Sequence, residues 1–253
     1  MKHPTSILIT GASSGLGAAL AEAYATPDVR LALGGRDRAR LEAIADRCRA
    51  AGAEVDVAVA DVVDAAATAR WVEGADDRRA LDLVVANAGI SAGSRSTGES
   101  AEQVRRILAV NIDGVINTIL PALPRLTRRG RGQIALMASL AGYRGLPGAP
   151  AYCASKAAVK VFGEALRGEL ASKGVGVSVI CPGYVDTPMT QRNRFPMPFL
   201  MDAPRAANLI KRRLAKNKAR IAFPWPMAAL VWLLQALPPG AIDLALARLP
   251  RKS

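Results

Sequence analysis

Tyr152 and Lys156 lie four residues apart in the segment Ala151-Tyr152-Cys153-Ala154-Ser155-Lys156, and Ser139 precedes the tyrosine by thirteen residues. Residues at i and i+4 share one face of a helix. An ammonium group beside a phenol favours the phenolate and lowers its pKa. The pair is therefore expected to give and take a proton near neutral pH. A glycine-rich segment, Thr10-Gly11-Ala12-Ser13-Ser14-Gly15-Leu16-Gly17, stands near the start of the same chain. Proton transfer beside a turn that can hold a dinucleotide describes hydride-transfer chemistry.

Other chemistries are excluded by composition. His3 is the only histidine, so Ser-His-Asp and Cys-His catalysis and multi-histidine metal sites have no ligand set, and no metal is expected. Cys48, Cys153 and Cys181 are far apart, odd in number and form no C-x-x-C pair. Free thiols in a reducing cytoplasm are the reading of that pattern. Ile7-Leu8-Ile9 runs straight into the glycine turn and is too short for the apolar region of a signal peptide.

The elements that must position these residues alternate. Strands are predicted at Thr5–Thr10, Val29–Leu33, Val55–Val59, Leu83–Ala86, Ile134–Met137 and Val175–Ile180, with a short seventh at Arg220–Phe223. Helices are predicted at Gly15–Tyr24, through Leu41, Ile44 and Cys48, at Ala65–Val72, Glu99–Leu120, Tyr152–Ser172 and Ala206–Leu214. Strands alternating with helices predict a doubly wound parallel α/β sheet covered on both faces. At 253 residues one domain accommodates all of it. Residues 1–190 would form the dinucleotide-binding catalytic part. Residues 191–253 would add a substrate loop and a basic, apolar C-terminal extension to the same domain.

The glycines have separate tasks. Gly11 allows the tight turn, while Gly15 and Gly17 let backbone and helix approach closely. The helix start then offers N–H groups and a positive dipole end to a pyrophosphate.

The spacing G-x-x-x-G-x-G with Thr10 in front resembles the short-chain dehydrogenase/reductase family, in its form of about 250 residues. Further motifs follow in family order. Asn87-Ala88-Gly89 succeeds the fourth strand, Asn111 sits in the long helical stretch, and Ser139, Tyr152 and Lys156 match the serine and the Y-x-x-x-K. Pro182-Gly183 follows the sixth strand, with Thr187 four residues beyond the glycine. The resemblance runs from Thr10 to Thr187, about 70% of the chain. It implies a Rossmann-like fold and counts Ser13, Ser14 and Leu16 among the cofactor-binding residues, with Ser14 at the phosphate. It assigns Asp61 and Val62 to the adenine and Asn87, with Ala88 and Gly89, to the adenosine ribose region. Lys156 and Tyr152 would hold the nicotinamide ribose, and Val185 and Thr187 the carboxamide, beside Pro182 and Gly183. Tyr152 is the implied general acid and base, Ser139 the hydrogen-bond donor to the substrate oxygen, and Asn111 the residue that holds a water linking Lys156 to solvent. The resemblance also implies a homo-oligomer formed through helices that include Tyr152–Ser172.

Cofactor choice turns on the end of the second strand, which reads Leu33-Gly34-Gly35-Arg36. An acidic residue there would bind a ribose 2′-hydroxyl, whereas an arginine accommodates a 2′-phosphate. Arg36 predicts NADP(H), and Asp37, one position later, is expected to point elsewhere.

The net charge of +13 is uneven. Residues 1–190 carry 22 Lys and Arg against 19 Asp and Glu, whereas residues 191–253 carry 12 against 2. Such a basic end points to an anionic surface or partner; nucleic acid is not expected, since no recognition motif accompanies the charge. After Pro182-Gly183 come Met189, Phe195, Met197, Phe199, Leu200 and Met201, which favour a hydrophobic carbonyl or alcohol as substrate. Ile221–Ile242 contains no charge and carries Trp225 and Trp232. Its clean helix, Met227–Leu237, is shorter than a membrane span. Two readings stay open for it: packing in a core or subunit interface, or seating at the inner face of an anionic membrane. An acidic acyl-carrier protein could also use the basic patch. The function expected is NADP(H)-dependent interconversion of carbonyl and alcohol on an apolar substrate. The alternatives are a 3-oxoacyl reductase of carrier-bound chains and an idle dinucleotide-binding scaffold.

Overall fold

A computed structural model describes residues 3–91, 99–193, 195–238, 240 and 241. Pro239, Ile242 and the rest of the expected C-terminal extension to Ser253 lie outside the described residues.

The inner strands are mainly small and β-branched apolar residues, as burial on both faces requires, whereas the edge strand Glu54–Val59 is partly exposed. The strands are β1 (Ser6–Thr10), β2 (Arg30–Gly35), β3 (Glu54–Val59), β4 (Leu83–Ala86), β5 (Gly132–Met137), β6 (Val175–Pro182) and β7 (Arg220–Phe223). All neighbours pair in parallel, in the order β3-β2-β1-β4-β5-β6-β7. The chain reverses its winding between β1 and β4. Ligands of such sheets bind beyond the strand C-termini at that point.

Helices α1 (Gly15–Tyr24), α2 (Arg38–Ala50) and α8 (Ala203–Ala215) cover one face, and α3 (Ala65–Arg78), α5 (Gly114–Ile119) and α7 (Pro150–Leu170) the other. Their apolar sides and the sheet form two cores. One holds Ile7, Ile9, Leu20, Leu33 and Ile210; the other holds Leu8, Val84, Ile119, Leu136 and Val159. The C-terminal quarter is part of this body, since α8 lies against α1 and β7 extends the sheet at β6.

The helix expected over Glu99–Leu120 is divided. It begins as α4 (Ala101–Leu108), opens into a π-helical turn at Ala109–Asp113, and continues as α5. A further helix, α6 (Leu123–Arg129), follows. The stretch Ala101–Arg129 has the length and mean hydropathy, 1.5, of a membrane span. Its Val115, Ile119, Ala122 and Leu126 are nevertheless spent on the sheet core. The third helix runs on to Arg78, six residues past the expected end, and α9 (Trp225–Ala236) starts two residues before its expected start. Pro226 is tolerated there because N–H groups of a first turn have no intrahelical acceptor.

Candidate active site

The glycine turn is shaped by what a side chain would strike. Gly11 has φ +67°, and a Cβ on it would lie 2.8 Å from the Ala88 Cα. A Cβ at Gly17 would lie 2.3 Å from the Gly11 carbonyl oxygen and 2.5 Å from the Asn87 Nδ2. Gly15, at φ +57°, lies under the side chain of Thr187. Turn, Asn87-Ala88-Gly89 segment and Thr187 are therefore held together. Thr10 fastens them: its Oγ1 accepts from the Asn87 and Ala88 N–H groups at 3.0 and 3.1 Å. The Asn87 amide in turn donates to the Thr10 and Gly11 carbonyls at 2.9 and 3.2 Å. The amide expected at a ribose is thus engaged in bracing the turn, although Asn87 still lines the cleft.

That cleft has a volume of about 430 Å³. Its floor is the turn from Gly11 through Ser13, Ser14, Gly15, Leu16 and Gly17, with Ala88 and Gly89 beside it. One end holds Arg36, Asp61 and Val62; the other holds Ser139, Tyr152 and Lys156 under Pro182, Gly183, Val185 and Thr187. The residues fit a dinucleotide. Side-chain-free backbone leaves room for a pyrophosphate at the N-terminus of α1, and the Ser14 hydroxyl makes no cap bond there. Arg40, in the first turn of α2 and passed over by sequence reasoning, lines the cleft together with Arg36. Asp37 borders the cleft, but its carboxylate is turned to the start of α2, in keeping with the expectation that it would point elsewhere than a ribose. Its carboxylate caps α2 by accepting from the Arg40 N–H at 3.0 Å and pairs with the Arg40 Nε at 3.2 Å. Asp61 is held by Arg106 at 2.7 Å and by the Val63 N–H at 3.1 Å. Burial opposes ionisation of Asp61, but these bonds win and hold its carboxyl below the usual range.

The reactive end is built on α7. Its first turn has no side-chain cap of its own. Glu99, distant in sequence, accepts from the Ala151 N–H at 2.9 Å instead. Tyr152 is half-buried at the cleft and Lys156 is buried behind it, its Nζ 5.8 Å from the phenol ring centre. The Lys156 Nζ donates to the Met137 carbonyl at 2.8 Å. The expected depression of the Tyr152 pKa is not the net effect in this structure. Burial pushes the phenol above its usual value, and a hydrogen bond with Ser139 works against that rise. Burial also lowers Lys156, from the usual 10.5 to about 8. Both groups are desolvated together, and desolvation favours the neutral form of each.

Asn111 is fully buried on the π-helical turn and does not line the cleft. Its Oδ1 accepts from the Ile90 N–H at 2.8 Å, and its Nδ2 donates to the Ile90 carbonyl and the Ser155 Oγ, both at 3.0 Å. Ser155 donates to the Tyr152 carbonyl at 2.8 Å. Asn111 thus ties α7 to the segment after β4. Gly89 separates it from the ammonium: a Cβ there would lie 3.2 Å from the Asn111 Oδ1 and 3.3 Å from the Lys156 Nζ. All three cysteines are buried, Cys153 included.

Comparison with known proteins gives a consistent picture. A family model described as short chain dehydrogenase matches residues 5–196. An oxidoreductase of Myxococcus xanthus is 40% identical over 243 residues, covering 96% of either chain. A Streptomyces virginiae protein named as a ketoacyl reductase of monensin polyketide synthase is 37% identical over 90% of this chain and 88% of its own. Among solved structures, a short-chain dehydrogenase/reductase of Burkholderia phymatum in complex with NAD matches with a TM-score of 0.84, at 28% identity over 99% and 98% of the two chains. A short-chain dehydrogenase of Sphingobium yanoikuyae in complex with NADPH matches with a TM-score of 0.81, at 27% identity over 96% of each.

Proposed function

The chain belongs to the short-chain dehydrogenase family, and from that premise we propose that it is an NADP(H)-dependent oxidoreductase interconverting a carbonyl and an alcohol on an apolar substrate. The observation that carries the reading is the union of Ser139, Tyr152 and Lys156 in one cleft with the glycine turn.

Bound nicotinamide would supply the hydride for the carbonyl carbon, or accept it from the alcohol carbon. The chain's own residues handle the proton and the developing charge. Ser139 donates a hydrogen bond to the substrate oxygen and stabilises charge there. Tyr152 gives its phenolic proton to that oxygen in reduction and takes it back in oxidation. Lys156, held by the Met137 carbonyl, keeps a positive charge behind the phenol and would hold the nicotinamide ribose. Pro182, Gly183 and Val185 close the far wall.

Preference for NADP(H) is supported by Arg36, just past β2, and Arg40, in the first turn of α2, which line the cleft where a 2′-phosphate would lie. Asp37 does not compete for a ribose hydroxyl, because its carboxylate is committed to Arg40. Met189 at the cleft and the edge-on pair Tyr184 and Phe195, 6.1 Å apart, favour an apolar substrate.

Titration of the purified protein with NADPH and NADH tests the cofactor. Tighter NADPH binding, reversed by Arg36→Asp, is expected; tighter NADH binding would overturn it. A 3-oxoacyl reductase is the second reading, favoured by the Streptomyces virginiae relative. A 3-oxoacyl thioester consumed faster than free aliphatic ketones would select it. An idle scaffold has no use for a buried lysine behind a cleft tyrosine. NADPH binding without turnover of any carbonyl would restore it.

A further inference from the structure

Helix α9 breaks the usual rule for apolar helices. One that is hydrophobic all round belongs in a core, yet none of the twelve residues of α9 is buried. Met227, Ala228 and Val231 rest on the body. The outward side carries Trp225 and Trp232, 78% and 62% exposed, with Leu230 and Leu233 at 56% and 55%. Trp225 and Trp232 are seven residues apart and so share a face.

The position of α9 is as informative as its surface. A Cβ on Gly183, in the cleft wall, would lie 2.9 Å from the Met227 sulfur and 3.0 Å from Pro224, so α9 begins at the substrate side of the cleft. Phe199 and Leu200, 58% and 46% exposed, belong to the loop that leads from the same wall to α8. At the opposite end of β7 comes the basic stretch. Lys211 there is used on the Ala23 carbonyl and Arg220 on Glu164. Arg212, Arg213, Lys216 and Lys218 are exposed and make no ion pair among the described residues. β7 is the edge strand, and its four residues span about 13 Å. A basic cluster and an apolar helix therefore bracket one short edge of the molecule.

We propose that this edge seats on an anionic lipid bilayer, with the outer face of α9 in the headgroup region and the cleft mouth turned toward the lipid. The chemistry is that of interfacial helices: tryptophans at the headgroup level, apolar residues below, cations drawn by lipid charge. A second copy is the poorer occupant. A two-fold contact on this edge would bring two clusters of unpaired cations together on chains of net charge +13. The arrangement also gives an apolar substrate a route from the bilayer to Ser139 and Tyr152. That consequence rests on the reductase reading; the seating itself does not.

Flotation of the full chain with phosphatidylglycerol–phosphatidylcholine vesicles and with phosphatidylcholine vesicles decides the matter. Binding to the anionic vesicles alone is expected, weakened at ~0.5 M salt. Replacing Trp232 and Leu233 together by Ser should weaken binding by at least about tenfold. Replacing Arg212, Lys216 and Lys218 by Gln should weaken it about fivefold per cation. Circular dichroism of each variant confirms folding, and the cation variants test the idea should the helix variant fail to fold. A wild-type chain that does not float, or a Trp232→Ser/Leu233→Ser chain that floats as well as wild type, overturns the proposal. So does a double variant that merely drops to a smaller oligomer, which would make α9 a contact between copies. Flotation without NADPH turnover would sink the reductase reading and leave the seating; turnover without flotation would do the reverse.

Discussion

Tyr152→Phe removes one oxygen from the cleft while leaving the ring that packs there. Turnover should fall about 10²–10⁴-fold, the usual contribution of a positioned acid or base, with NADPH affinity kept. Steady-state rates beside a binding titration check this. The pH dependence has a defined sign. Reduction needs the protonated phenol, and burial raises the Tyr152 pKa, so reduction should persist into alkaline solution and oxidation should accelerate as pH rises. Lys156 makes the opposite bargain between function and stability. A folded-state pKa of about 8 against the usual 10.5 corresponds to about 3 kcal/mol spent on burying the charge. Lys156→Met removes that cost and orphans the Met137 carbonyl, worth about 1 kcal/mol. The variant should be inactive yet more stable than wild type by about 1–2 kcal/mol at pH 7 in urea denaturation. Below pH 8 both folded and unfolded lysine carry the proton, so the cost is complete. Between about 8 and 10.5 the folded state sheds it first, wild-type stability rises with pH, and the advantage of the variant should disappear.

Elements set how closely these residues can meet, and Gly17 is the tightest case. Gly17→Ala puts a methyl group 2.3 Å from the Gly11 carbonyl oxygen, a backbone atom that cannot swing aside. Either the turn or α1 must move, at a cost of about 1–3 kcal/mol. NADPH affinity should drop roughly tenfold to a hundredfold by the same arithmetic, which isothermal titration measures; unchanged affinity would show that the turn does not carry the cofactor. The sheet and this turn were legible in the sequence because they rest on local signals: apolar runs, glycine spacing and alternation of strand and helix. What was illegible depends on distant partners. Pro121 and Pro124 argue against a helix, yet Pro124 falls in the first turn of α6, where its missing N–H is harmless. From the π-helical turn the Asn111 amide reaches both backbone groups of Ile90, a pairing no local pattern encodes. What turns Asp37 away from a ribose, its capping bond to the Arg40 N–H and its pairing with the Arg40 guanidinium, became visible only in the fold. The ammonium was expected to lower the pKa of the phenol; burial, visible only in the fold, raises it instead.

At the scale of the whole molecule, two exposed apolar surfaces compete to explain how the chain meets its surroundings. One is α9. The other lies on α5 and α7, where Leu120, Val161 and Phe162 are 50%, 58% and 37% exposed. Family resemblance points to α7 as the contact between copies, and the two surfaces differ in charge as well as place. Ala154, Ala158 and Ala165, exposed on α7 beside Val161 and Phe162, carry no charge, so this surface has no excess of cations like that of Arg212–Lys218. Self-association through α7 is therefore compatible with a chain of high positive charge. In a two-fold contact each side chain appears twice, so a single Val161→Glu substitution buries two unpaired carboxylates. At 3–5 kcal/mol for a buried unpaired charge, the dissociation constant should rise by more than about a hundredfold. Sedimentation velocity should show the wild type as an oligomer and Val161→Glu as a monomer that still binds anionic vesicles through α9. A Val161→Glu chain that keeps the wild-type mass would place the contact elsewhere. If the same chain also lost its vesicle binding, the two surfaces would be parts of one, and the separation of roles between α7 and α9 would fail.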